Sequence, residues 1–380
     1  MTMALTMTRR VFLGAAATTL PLISRPLFAA VPGDNRLVVL LLRGGMDGLS
    51  LVQPLEDPSL EALRPDLALT LGDGLMDLDV AFGLHPAARP LLSLWQAREL
   101  AFVHATASPY RSATPQHFEA QDMLEAGEAR GSTLPTGWLN RALSSIPRAG
   151  ARKADNLDGL QGLLLTGPND GMVTSHPQIP PLGVDEIALL AQLYRSDPGF
   201  QEALRDVRPA QQTDDWVAGV MGMVAERLSA DARLASLSLP GFDTHADQAV
   251  LLPTPISQLS TAIVALRSAL APAVWASTVV LAITEFGRTV AQNAGGGTDH
   301  GTASVALVAG GTIAGGRILG NWPGLSPDQL YAGRDLMPTS DVRALAAALL
   351  HRQFDISLTN LGTRVFPGLD LGAGSDFLSL

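Results

Sequence analysis

The chain has 380 residues, of which 47% are hydrophobic, 16% charged and 5% aromatic, and it contains no cysteine. That balance is globular and excludes disordered, collagen-like and coiled-coil classes. The missing thiol excludes disulfides, a thiolate nucleophile, iron–sulfur clusters and cysteine zinc sites. With 36 acidic against 26 basic residues the formal charge is −10, so the basic surface that nucleic acid requires is not expected. An anionic small substrate would have to meet a local positive centre, either metal ions or arginines.

The chain begins with an address. Thr8-Arg9-Arg10-Val11-Phe12-Leu13-Gly14 opens a weakly apolar run to about Ile23, the twin-arginine form of a bacterial export signal. The run falls short of the roughly 20 residues a spanning helix needs. Cleavage near Ala29 or Ala30 would assign residues 1–30 to the signal and remove Arg9, Arg10 and Arg25, taking the charge from −10 to −13. The expected partner in export is the twin-arginine translocase, and the expected destination is the periplasm or the medium. No further apolar run of membrane length is read after residue 30, so the mature chain is expected to have no membrane span.

Beyond the signal, short apolar runs read as buried strands at Leu37–Leu42, Leu100–His104, Gly162–Thr166, Ala232–Leu239, Ser277–Thr284 and Ala303–Ala309. Helical patterns lie between them at Ala87–Gln96, Pro115–Ala126, Asp185–Arg195, Asp214–Ala230, Pro255–Leu270 and Ser340–Gln353. Continuous apolar strands alternating with amphipathic helices predict an α/β fold, a mostly parallel sheet covered on both faces. Thr114 reads as the N-cap of one helix with Pro115 at N1, and Thr339 or Ser340 as the N-cap of the last. Ser175–Leu182 and Ala294–Gly301 read as loops rather than linkers, so residues 31–380 are expected to form a single domain. Gly310–Gly316 superficially suggests a dinucleotide loop, but no helix follows it and that reading is rejected.

Ligands of open α/β sheets bind outside the carboxyl ends of the strands. The segments there are rich in polar residues: Arg43-Gly44-Gly45-Met46-Asp47, Asp243-Thr244-His245, Glu285-Phe286-Gly287-Arg288 and Thr298-Asp299-His300. Carboxylate oxygens and neutral imidazole suit zinc or manganese, and carboxylates alone suit magnesium or calcium. Asp47, Asp243, His245, Glu285, Asp299 and His300 are therefore candidate ligands, enough for two divalent ions about 4 Å apart that would clamp a transferring phosphoryl or sulfuryl group. Arg43, Arg288 and His117 are candidates either for supporting those ligands from outside or for stabilising an anion. Ser112 and Thr114, ahead of a helix, are candidate nucleophiles. His117 and Gln121, four apart, share one helix face.

The motifs Leu-Arg-Gly-Gly-Met-Asp-Gly-Leu, His117-Phe118-Glu119-Ala120-Gln121-Asp122, Gly137-Trp138-Leu139-Asn140-Arg141, Asp243-Thr244-His245, Glu285-Phe286-Gly287-Arg288-Thr289 and Gly297-Thr298-Asp299-His300-Gly301 occur in that order. With the twin-arginine signal they resemble the secreted bacterial family known as domain of unknown function 1501, from about Leu37 to Gly368. That family is in turn similar to the alkaline phosphatase and sulfatase superfamily. The resemblance implies an alkaline-phosphatase-like domain with Asp47 at the first strand's metal position and Asp243, His245, Glu285, Asp299 and His300 completing the shell. It departs from the pattern in having Gln116 where the family commonly has serine, and Glu285-Phe286-Gly287 where Asp-His-Gly is expected. The function implied is a metal-dependent hydrolase acting on a small phosphate or sulfate ester. The alternatives are a non-catalytic exported binding or assembly protein on the same fold, and a metal-free esterase using Ser50 or Ser112 with His300. Oligomeric state is not legible in the sequence.

Overall fold

Six-residue apolar runs such as Leu37–Leu42 bury both faces, because successive side chains point to opposite sides of a sheet. In the computed structural model, which describes residues 27–30, 33–128, 136–146, 163–168, 216–230, 232–371 and 377, eleven strands form. They are β1 (Leu27–Ala30), β2 (Arg36–Leu42), β3 (Val52–Pro54), β4 (Met76–Asp77), β5 (Phe82–Leu84), β6 (Leu100–Ala107), β7 (Ala232–Leu239), β8 (Thr278–Thr284), β9 (Ser304–Gly310), β10 (Arg317–Leu319) and β11 (Ser340–Asp341). The main sheet has the order β1-β7-β2-β8-β9-β6-β10, with β11 also on β6, and β3, β5 and β4 form a small second sheet. β7, β2 and β8 pair in parallel, as do β6, β10 and β11, whereas β1 and β9 run antiparallel to their neighbours. The expected mostly parallel α/β sheet is therefore present.

The helices used below are α1 (Gly48–Leu51), α2 (His117–Ala126), α3 (Trp138–Ser145), α4 (Trp216–Ser229), α5 (Pro253–Ala269) and α6 (Val342–Phe354). Val38, Leu40 and Leu42 enter one core with Met221 and Val224 of α4 and Ile256, Leu259 and Ile263 of α5. Leu37, Val39 and Leu41 enter the other with Trp138 and Leu139 of α3 and Leu345 and Leu349 of α6. Each fully buried leucine contributes about 1.5–3 kcal/mol relative to exposure, so the β2 register is fixed from both faces.

Several sequence expectations are corrected. Leu163–Leu165 is a 3-10 turn rather than a strand; Glu125 takes the Leu164 N–H at 2.8 Å, and Gly137 N–H is donated to the Thr166 carbonyl at 2.9 Å. The Pro115 helix starts at His117 with Gln116 as N-cap, not Thr114, because Gln116 is extended and its N–H goes to the Tyr110 hydroxyl at 2.9 Å. α6 is capped by Asp341, which accepts from Arg343 N–H at 2.8 Å, while Ser340 and Asp341 pair with β6. The run Gln248–Ala269 is, contrary to expectation, long and apolar enough to cross a membrane by length and composition. Ile256, Leu259, Ala262, Ile263 and Leu266 on its α5 portion are buried in the core. The predicted helix Asp185–Arg195 and the loop Ser175–Leu182 lie outside the described residues.

Candidate metal centre

Chain direction brings the polar segments together. β2, β7 and β8 release theirs at one sheet edge, and β9, running the other way, starts there with Thr298–Gly301 just ahead of it. The loops approach closely. A Cβ on Gly44 (φ +116°) would overlap the backbone of Asp243, and only glycine adopts that angle without strain. A Cβ on Gly297 would likewise overlap the backbone at His245.

Arg288 ties these loops. Its side chain is fully buried and donates to the carbonyls of Gly45 at 2.7 Å, Phe242 at 3.0 Å and Thr298 at 2.9 Å, and to that of Gly44. It also donates to Asp243 Oδ1 at 2.6 Å. Every arm of the guanidinium is thereby committed, so Arg288 acts on the centre through Asp243 and the loop backbones.

Three imidazoles surround Asp243. His300 Nε2 lies 3.2 Å and His245 Nε2 3.1 Å from Asp243 Oδ1, and His117 Nε2 lies 3.4 Å from Oδ2. His245 Nε2 and His300 Nε2 are 2.9 Å apart. The opposite nitrogen of each ring meets an oxygen: His117 Nδ1 at 2.9 Å from Glu285 Oε1, His245 Nδ1 at 3.3 Å from Asp299 Oδ1, and His300 Nδ1 at 3.0 Å from the Pro115 carbonyl. A carbonyl or an ionised carboxylate only accepts, so each Nδ1 carries a proton, and each ring in its neutral form turns an Nε2 lone pair toward the same place. At 3.4 Å Asp243 is an ion-pair neighbour of His117 Nε2, and that buried nitrogen has no hydrogen-bond partner.

Converging lone pairs repel unless a cation sits among them. His117, Asp243 and His300 offer ligand atoms within 4.8 Å of one another, forming a group that could hold a metal ion. His245, bonded to two of the three, adjoins it. Three imidazole nitrogens and a carboxylate oxygen form a donor set of the zinc type, and outer partners that fix each tautomer are the usual companions of histidine ligands.

The charges agree with a site that attracts cations. Burial opposes a charge on His117, but Asp243 and Glu285 outweigh it and hold its pKa up to about 9. Burial likewise opposes the Asp243 carboxylate, yet His117, His300 and Arg288 keep it far below the usual carboxylate range. Glu285 is also lowered, against its burial, by His117, Gln121 and backbone N–H groups. Asp299 is lowered chiefly by Asn293, with His245 adding to it.

The remaining candidate residues have other partners. Asp47, buried beneath the site, caps α1 and pairs with Arg64 at 2.6 Å, Ser50 Oγ at 2.9 Å and Gln248 Nε2 at 2.5 Å. Glu285 Oε1 accepts from His117, from Gln121 at 3.1 Å and from Gly44 N–H at 2.9 Å, and Oε2 accepts from Thr284. Asp299 reaches His245 and Asn293. Arg43 pairs with Glu125 and donates to Ser238 at 3.0 Å. Ser112 Oγ accepts the Thr114 N–H at 3.2 Å, and Thr114 is exposed. Ser50 is bound into the Asp47 group. Among the described residues one metal-type group is found, not the pair that two ions would need. His117, read from the sequence as a supporting or anion-stabilising group, stands inside that group, and the shared face of His117 and Gln121 is the legible trace of their common partner Glu285. Arg64, Gln248 and Asn293 carried no signal of their own in the sequence.

Fold and cluster together define an α/β protein with a metal-type histidine–carboxylate group at the carboxyl edge of its sheet. A family model described as Protein of unknown function (DUF1501) matches residues 188–365. That match supports the likeness to this family that the motifs carry. The match contains Asp243, His245, Glu285, Arg288, Asp299 and His300 and stops short of His117. The crystal structure of Ps i-CgsB in complex with k-i-k-neocarrahexaose is similar at 10% identity and a TM-score of 0.39, covering 86% of this chain and 74% of that one. No curated protein matches the chain.

Proposed function

We propose that the protein is an exported metal-dependent hydrolase of phosphate or sulfate esters whose centre takes one divalent ion on His117, Asp243, His245 and His300. One observation carries the metal: the three Nε2 atoms turned toward Asp243, with those of His245 and His300 2.9 Å apart. Imidazole-rich donors favour zinc or manganese over calcium or magnesium. An ion held there would supply Lewis acidity, polarising an ester oxygen and acidifying water. The chain's own groups do the rest. Glu285, Asp299 and the Pro115 carbonyl hold the rings, and Arg288 keeps Asp243 ionised. The substrate class rests on the motif order and its likeness to the alkaline phosphatase and sulfatase superfamily. A cationic centre would also offset the −10 charge that otherwise repels an anionic ester.

Ser50, Ser112 and Thr114 are engaged elsewhere or exposed, which favours water as the attacking group and also supports a second reading, a centre that binds without turnover. Hydrolysis of aryl phosphates and aryl sulfates by zinc- or manganese-loaded protein, abolished by chelator and by His300→Ala, supports the hydrolase. Bound metal with no turnover on either panel supports the second reading, and turnover that survives chelator would support a metal-free esterase. Export by the twin-arginine translocase is part of the proposal. Replacing Arg9 and Arg10 together by lysine should retain the protein in the cytoplasm.

A further inference from the structure

Behind the metal-type group runs a second, wholly buried chain of polar side chains. Arg64 Nη1 donates to Asp47 Oδ2 at 2.6 Å and to Ser50 Oγ at 3.1 Å, while its other arms go to the Val290 and Thr289 carbonyls at 2.7 and 2.8 Å. Gln248 Nε2 donates to the same Asp47 oxygen at 2.5 Å. That carboxylate only accepts, so the Gln248 amide is fixed in one orientation and Oε1 faces the other way. There it accepts two hydroxyls, Thr244 Oγ1 at 2.9 Å and Thr298 Oγ1 at 2.7 Å. Asp47, Arg64, Gln248, Thr244 and Thr298 are each exposed by 1% or less.

The two threonines occupy telling places. Thr244 stands between Asp243 and His245, and Thr298 immediately precedes Asp299 and His300. One amide oxygen therefore joins the two loops that carry Asp243, His245, Asp299 and His300. The loops also meet through the Thr298 N–H on the Thr244 carbonyl at 3.2 Å. We propose that Gln248 is a positioning residue for the centre: anchored on the Asp47–Arg64 ion pair, it sets the spacing between the Asp243–His245 and Asp299–His300 loops and so tunes the affinity for the ion. This rests on the metal reading above. It also accounts for the buried carboxylate at Asp47, which holds the loops from behind and is not turned toward the ion.

Thr244→Val and Thr298→Val each remove one hydroxyl of the pair with little change in volume, and Thr244→Ser and Thr298→Ser keep the hydroxyl. Gln248→Met removes both amide functions. Zinc affinity by competition with a chelating dye is expected to fall about tenfold or more in the valine and methionine variants and to stay within about threefold in the serine variants. In the metal-free protein the imidazole NMR signals of His245 and His300 should move in the valine variants and stay in place in the serine ones. Folding of every variant is checked by its thermal transition, and if Gln248→Met does not fold the two threonine pairs decide alone. Valine variants with wild-type zinc affinity and unmoved imidazole signals would overturn the proposal. A wild-type protein that binds no zinc or manganese would overturn the metal reading instead, and the imidazole signals would still judge the role of Gln248.

Discussion

His245 and His300 bring their Nε2 atoms to 2.9 Å from each other while their Nδ1 atoms face Asp299 and the Pro115 carbonyl. Two neutral rings in those tautomers present lone pair to lone pair, an arrangement that a shared proton or a metal ion makes favourable. His117, with an unbonded buried Nε2 on the other side of Asp243, adds a third.

His117 in metal-free protein should titrate near 9, well above the ordinary value of about 6.5. A raised folded value means that its contribution to stability is complete below pH ~6.5 and is lost as pH rises through about 9. NMR titration of the imidazole checks this, and Glu285→Gln should bring the midpoint down. Zinc added at pH 7 should release about one proton per ion, because the metal displaces the one His117 holds. Uptake of zinc without proton release would exclude His117 as a ligand.

Asp47 and Arg64 form a buried pair, so truncating one strands the other. Arg64→Met should cost about 3–5 kcal/mol, measured by denaturant unfolding. Asp47→Asn should also destabilise and weaken ion binding through Gln248, yet at saturating zinc the folded variant should still take up as many ions as the wild type, because Asp47 faces Arg64 and Gln248. A loss of one ion per chain at saturating zinc in folded Asp47→Asn would restore it as a ligand.

Arg288 satisfies four carbonyls and one carboxylate without solvent. Arg288→Met removes the shared buried donor from all of them and should cost at least about 3–5 kcal/mol, enough to prevent folding at moderate temperature. Arg288→Lys should recover only part of this, since an ammonium cannot span the same fork of acceptors. Unfolding curves of the two variants provide the comparison.

His104 is buried beside Phe82 and Trp322 and bonds the Val52 carbonyl at 2.8 Å. Burial pushes its pKa down to about 4, against the pull of Val52 and Asp47. A depressed base is carried neutral into the fold while the unfolded chain takes up a proton. Stability should therefore fall as pH drops from about 6.5, by about 3 kcal/mol in all, and level off near pH 4. His104→Phe should remove that slope, read as the difference in unfolding free energy between pH 7 and pH 4.5.

Much of this arrangement was legible in the sequence, for physical reasons. β2 and β8 are apolar on both faces and β7 is nearly so, which marks a buried parallel strand, and their bounds match the expectation within a residue. Asp243, His245, Asp299 and His300 gather because strand direction sends every one of their segments to the same edge. What the sequence hid depends on side-chain reach across the fold. Nothing local distinguishes Asp47, which turns inward to Arg64, from Asp243, which turns toward the histidines. Nor did any pattern mark Gln248, whose partners lie 201, 4 and 50 residues away. Leu163–Leu165 misled because three leucines between glycines suit a docking turn as well as a strand. Gln248–Ala269 hid its length because Pro253 and Pro255 near its start interrupt the apolar pattern.

The central claim is that a divalent ion, and not a shared proton, belongs among His117, Asp243, His245 and His300. Elemental analysis of folded protein purified without chelator tests it most directly, in the wild type and in His300→Ala. The account predicts about one zinc or manganese per chain in the wild type and a large loss in the variant. Wild-type protein that is metal-free and takes up neither ion on dialysis would contradict it.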